Sequence, residues 1–186
     1  MNRITQSIST VCREQLLAEK WLLAPSLRVG YQWLDRVARA GQPVVNAHVK
    51  TLTSMALELV GPVLASRSLT LVSPRAAVLL IDRVIRQLWQ SGLDYLGEAQ
   101  PSAGLAETVL SSINAIRLAG LSAADLKRSC FEVARKADDL DRLLTHYLEL
   151  LEQEKLVDYA WVLEEAVRQL ESGSTRLAAD IRILVP

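Results

Sequence analysis

The chain lacks most of what announces a catalytic or metal site. It has two cysteines, two histidines, one phenylalanine and no Gly-Lys pair anywhere in its 186 residues. Cys12 and Cys130 are too few for a disulfide framework and fit no metal-ligand spacing, which makes a reducing cytoplasm the expected setting. Neither His48 nor His146 has a Cys, a second His or a Ser at motif spacing, so neither reads as a metal ligand or a catalytic base. With Phe nearly absent, the core falls to Leu, Val, Ala and Ile, which favours helices over a sandwich. An excess of one charge is missing too. Lys and Arg number 21, as do Asp and Glu, so no net field advertises nucleic acid. Met1–Thr10 is polar without an apolar signal core, and no later run approaches the length of a membrane span. A soluble intracellular piece with no membrane partner is the expectation.

What is present begins with a strand that turns directly into a helix. Val44–Val49 is short and β-branched and follows Gly41-Gln42-Pro43, the mark of a buried strand; Thr51–Leu59 has helical spacing and propensity. At the junction Thr51, Thr53 and Ser54 offer hydroxyls beside backbone N–H groups that have no partner inside the helix, an edge able to hold a phosphate. Thr51 as a plain N-cap is the competing reading.

Upstream, Ser7–Glu19 places Ile8, Val11, Cys12 and Leu16 on one helical stripe. Trp21–Ala24 is a short apolar run stopped by Pro25, read as a buried strand. Ser26 then caps a helix whose inner face is expected to carry Leu27, Gly30, Tyr31, Leu34, Val37 and Ala38, with Gly30 allowing close approach to a strand. Two strands joined by such a helix make a right-handed βαβ unit and a parallel sheet.

Beyond Gly61-Pro62 the pattern becomes helical. Leu69–Val72 reads as a short strand or an extended linker, and Ser73-Pro74 opens a long helix with Ala77, Ile81, Val84, Ile85 and Leu88 inward. Ser91–Gly104 is a loop. Ala106, Val109, Leu110, Ile113 and Ile116 mark the next helix, and Ser122 with Asp125 resembles a capping box opening a short one. Leu140, Leu143, Leu144, Tyr147 and Leu151 form the clearest bundle stripe. Asp158 caps the last helix, with Leu163, Ala166, Val167 and Leu170 on one face. Ile181–Val185 then reads as a third parallel strand, cut off at Pro186.

The order of these pieces carries a resemblance. Trp21-Leu-Leu-Ala-Pro-Ser26, then Val49-Lys-Thr-Leu-Thr-Ser-Met-Ala-Leu57, then Leu156-Val-Asp-Tyr-Ala-Trp-Val-Leu163 with Glu165-Ala166, resembles the N-terminal part of AddB-type helicase-nuclease subunits and, more distantly, UvrD/Rep-type superfamily 1 helicases. In those helicases Thr-bearing turns after two strands contact single-stranded DNA. Here Ser26 stands at the first turn and Thr51-Leu52-Thr53-Ser54 at the second, with Thr53 in place of the family's His. Leu156–Leu163 is similar to the acidic segment before the Walker B strand, departing from it at Trp161 and Val162.

The resemblance implies an α/β, P-loop-NTPase-like parallel sheet fragment, residues 1–60 with 174–186. A large all-helical subdomain, residues 61–173, is inserted in it, and the whole is predominantly helical. It implies a parent protein acting in DNA double-strand-break repair and recombination, a helicase or exonuclease with a PD-(D/E)XK nuclease and a helicase/nuclease partner subunit. Without a Gly-Lys pair there is no P-loop to cradle phosphates, so this piece is expected to bind no nucleotide cofactor, hold no metal and hydrolyse no ATP.

The sites expected to hold DNA are Ser26, Arg28, Lys50, Thr51, Thr53 and Ser54, binding single-stranded DNA weakly. A helical protein-interaction module without DNA binding is the alternative. Asp138, Asp139, Asp141, Glu152 and Glu154 lie off the stripe of one helix and read as solvated charge; the scattered Trp and Tyr read as packing.

Overall fold

The computed structural model describes residues 3–173 and 181–185. The chain divides into two compact units, Met1–Gly61 with Ala166–Pro186, and Pro62–Glu165. Helices predominate, seven of them α-helical among the described residues, beside a small parallel sheet of three strands.

In the first unit α1 (Arg3–Glu14) leads to β1 (Lys20–Leu23), α2 (Leu27–Arg39), β2 (Ala47–Lys50) and the start of α3 (Leu52–Ser66), and β5 (Arg182–Leu184) completes the sheet. The strand order is β2-β1-β5, with both pairings parallel; Leu23 lies opposite Lys50 and Trp21 opposite Ile183. Apolar residues of β1 and β2 pack with α1 and α2 in a core of Ile8, Cys12, Leu22, Ala24, Leu34, Val37 and Val49. Burial pushes the Cys12 thiol up, and the positive charge of Lys20 pulls it part of the way back. Gly30 sits where α2 crosses β2. A Cβ there would fall 2.2 Å from Val49 Cγ1 and 3.0 Å from the Ala24 Cβ.

Several element boundaries differ from the sequence pattern. Helix α1 spans Arg3–Glu14 rather than Ser7–Glu19, because the chain folds back at residues 15–18 around a buried lysine. Lys20 Nζ donates to the carbonyl oxygens of Gln15 at 2.7 Å, Leu16 at 3.2 Å and Ala18 at 2.5 Å, putting a cation where the helix dipole is negative. The second strand is Ala47–Lys50, not Val44–Val49. Asn46 breaks the extended run with φ 50°, a conformation Asn tolerates, while its carbonyl accepts from Lys20 N and its side-chain amide donates to Leu17 O. On α2, Gly30, Leu34 and Val37 are buried but Leu27, Tyr31 and Ala38 are exposed. The buried positions recur as Gly30, Leu34 and Val37, a narrower stripe than the apolar pattern suggests, and Leu27, Tyr31 and Ala38 fall outside it. Helix α3 does not stop at Gly61-Pro62 but runs through both to Ser66.

The second unit packs α4 (Pro74–Gln90), α5 (Ala103–Leu118) and α6 (Ala134–Gln153) around Ile81, Ile85, Ile113, Leu143, Leu144 and Tyr147. The subdomain is not all-helical, as expected from the stripes. Leu69–Val72 contains β3 (Thr70–Leu71), paired in parallel with β4 (Leu156–Val157). The short-strand alternative for Leu69–Val72 therefore holds, while β4, only two residues long, leaves no periodic trace. Helix α7 (Tyr159–Glu171) follows β4, its residues from Ala166 on belonging to the first unit, and buries Val162, Glu165, Ala166 and Gln169, one position round from the expected stripe, with Val167 and Leu170 exposed. Ser122 and Asp125 do form a reciprocal cap, but it opens only a single 3-10 turn, Ala123–Asp125. No helix among the described residues is long and apolar enough to cross a membrane.

Candidate nucleic-acid interface

Because β1 and β2 are adjacent and parallel, their carboxyl ends deliver the chain to one edge. The ladder continues past the last paired residues, with Ala24 N donating to Lys50 O at 2.8 Å, so the turn at Pro25-Ser26 lies beside the turn at Thr51. Each turn starts a helix with a hydroxyl residue in the capping position. Ser26 is extended (φ −150°, ψ 157°), and its Oγ accepts from Val29 N at 3.3 Å. At the second turn the cap is reciprocal: Ser54 N donates to Thr51 Oγ1 at 3.1 Å, and Thr51 N donates to Ser54 Oγ at 2.8 Å. Ser54 thereby fills the role that Glu or Gln has in the usual capping box.

The six residues singled out from the sequence are distributed unequally over this edge. Ser26 and Arg28 are exposed at the start of α2, and Thr53 is exposed on the first turn of α3. Thr51 and Ser54 are half-buried and bonded to each other. Lys50, expected to supply positive charge to these turns, is half-buried and already paired. Its ammonium pairs with Glu58 one and a half turns along α3 and lies 4.8 Å from the centroid of the Trp21 ring. Trp21 is itself buried, and its Nε1 donates to Glu19 Oε1 at 2.8 Å. The edge therefore draws its available charge from Arg28 rather than from Lys50.

No family model matches this chain, and no curated protein matches it.

The neutral total conceals a division that only the fold exposes. The first unit contains ten Lys and Arg against six Asp and Glu, and the second contains eleven against fifteen, giving net charges of +4 and −4. The carboxyl edge belongs to the positive unit. Within it, a groove of about 420 Å³ is lined by Arg3, Ile4, Ile8, Leu22 and Leu184, among others, and includes none of the six residues.

Asp139 and Asp158 of the second unit hold neighbouring segments in place. Asp139 is not solvated, as its place off the stripe suggests, but buried. Its carboxylate accepts backbone N–H groups from Asp94 at 3.0 Å, Tyr95 at 2.8 Å and Leu96 at 2.8 Å, pinning the loop after α4. Asp158 caps α7 as expected, accepting from Trp161 N at 2.9 Å, and also pairs with Arg117, both side chains being buried. Tyr147 lies fully buried near this pair, and its hydroxyl has no hydrogen-bond partner among the described residues. Burial pushes its phenol well above the usual value, and the charge of Asp158 adds to the shift. His48 is exposed on β2, and His146 Nδ1 lies 2.9 Å from Arg142 O on its own helix. Among the described residues no group of three or more His, Cys, Asp or Glu could hold a metal ion.

Proposed function

We propose that this chain is a DNA-holding or scaffolding domain of the AddB helicase-nuclease type, a P-loop-NTPase-like sheet variant that works without hydrolysing ATP itself. In this reading it serves double-strand-break repair and recombination in the cytoplasm, beside a helicase/nuclease partner subunit. The observation that carries the proposal is the adjacency of the Ser26 and Thr51–Ser54 turns on the carboxyl edge of a unit with net charge +4. Open parallel sheets bind ligands outside the carboxyl ends of their strands, and helix starts favour anions. The pairing of Lys50 with Glu58 favours the second reading, a protein-interaction module without DNA binding, because it removes one cation from the edge.

Fluorescence anisotropy with a labelled oligothymidine at low salt separates the two. The first reading expects weak binding whose log K falls with log salt by about 0.7 per phosphate contacted. Arg28→Ala should weaken it several-fold, and Glu58→Gln, which releases Lys50, should tighten it. No binding by the parent chain at any salt concentration, with the fold intact by circular dichroism, leaves the protein-interaction module as the reading.

A further inference from the structure

The carboxyl edge carries exposed apolar surface that neither helix capping nor core packing explains. Leu27 is 48% exposed, Tyr31 59% and Leu52 55%. Leu27 and Leu52 are the first residues of α2 and α3, so each capped turn is followed by an exposed leucine. On a helix, residues three and four apart are surface neighbours, which brings Tyr31 beside both Leu27 and Arg28. The rise from Leu27 to Tyr31 is about 6 Å, within the reach of one nucleotide. The same helix is the basic one. It carries Arg28, Arg36 and Arg39 against a single acid, Asp35, which pairs with Arg39 at 3.0 Å.

An aromatic ring and a leucine flanking an arginine, on a helix with net charge +2 in a unit with net charge +4, are complementary to a polyanion whose bases are free to stack. We propose that Tyr31 is a base-stacking residue, with Leu27 as its apolar flank, and that it gives this edge its preference for single-stranded over duplex nucleic acid. The inference rests on the DNA-holding reading and adds the residues that would touch bases rather than phosphates. A duplex keeps its base faces covered, so only a single strand can use the Tyr31 ring; phosphate contacts alone would not tell the two apart.

The test compares the parent chain with Tyr31→Ala and Tyr31→Phe by anisotropy, using a labelled single strand and the matching duplex over a range of salt concentrations. Tyr31→Ala is expected to weaken single-strand binding about tenfold, the effect of losing one stacked base. It should leave duplex binding and the salt slope unchanged, and Tyr31→Phe should retain parental affinity. Thermal melts of the variants should match the parent, because the ring is on the surface. If the parent binds and Tyr31→Ala binds equally well, or weakens with a shallower salt slope, the stacking role is overturned while the phosphate-holding edge stands. If the parent binds neither strand form, both readings fall together.

Discussion

Tyr147 shows how much one atom can cost. Its ring lies in the core of the second unit, yet the hydroxyl at its tip has no hydrogen-bond partner among the described residues in a fully buried site. A buried donor left unsatisfied costs about 1–3 kcal/mol, so Tyr147→Phe is expected to be neutral or to stabilise by about 1 kcal/mol in urea unfolding. The raised phenol titration fixes a second readout. A group whose folded pKa lies above its unfolded value contributes stability that is whole below the unfolded pKa and is lost as pH rises. From about pH 10 upward, the ordinary range of a tyrosine, the melting temperature of the parent should fall faster than that of Tyr147→Phe. Nothing in the sequence distinguishes this tyrosine from its leucine neighbours, since helical spacing reports which face a residue occupies and not whether its polar atom is met. Asp139 was illegible for the same reason. Its three backbone donors come from a loop more than forty residues upstream, and only the tertiary structure brings them together.

At the scale of elements, the parts with strong local periodicity were legible and those fixed by distant partners were not. The stripes of α4, α5 and α6 can be read directly, as can the strands flanking α2 and the close approach at Gly30. That last feature gives a sharp expectation. Gly30→Ala would place a methyl 2.2 Å from Val49 Cγ1, so α2 must lift or Val49 must move, and the cost should be about 1–3 kcal/mol, measured by chemical unfolding of the whole chain. An unchanged unfolding midpoint would mean that the packing of α2 on the sheet is looser than this geometry. By contrast, the end of α1 depends on the buried ammonium of Lys20, the start of β2 on Asn46, and the β3–β4 pair on strands far apart in sequence. The candidate site was legible as a pair of capped turns. Its electrostatics were not, because the partner of Lys50 lies eight residues on and the buried ring of Trp21 lies on another strand.

For the whole molecule, a neutral total is a poor guide to what a charged ligand meets. The two units carry net charges of +4 and −4, which composition hides, and exposed charges farther from a polyanion than a Debye length, about 10 Å at moderate salt, are largely screened. Positive charge alone does not make a nucleotide site. No segment supplies a Gly-rich cradle followed by lysine, so a calorimetric titration of the full chain with Mg-ATP is expected to show no saturable micromolar isotherm. A clear isotherm would reveal a nucleotide site built by other means.

The sheet itself imposes an order of assembly. The central strand pairs on one side with a neighbour fewer than thirty residues away, and on the other with Arg182–Leu184, about 160 residues later. Closing so long a loop is entropically slow, and the intervening residues 62–165 can gather their own core of short-range helix contacts meanwhile. During synthesis, β1 therefore emerges with one edge bare and waits for Arg182–Leu184 until about 160 further residues have left the ribosome. An unpaired edge is a template for wrong partners, so the nascent chain is open to misassembly at β1 until Arg182–Leu184 covers that side.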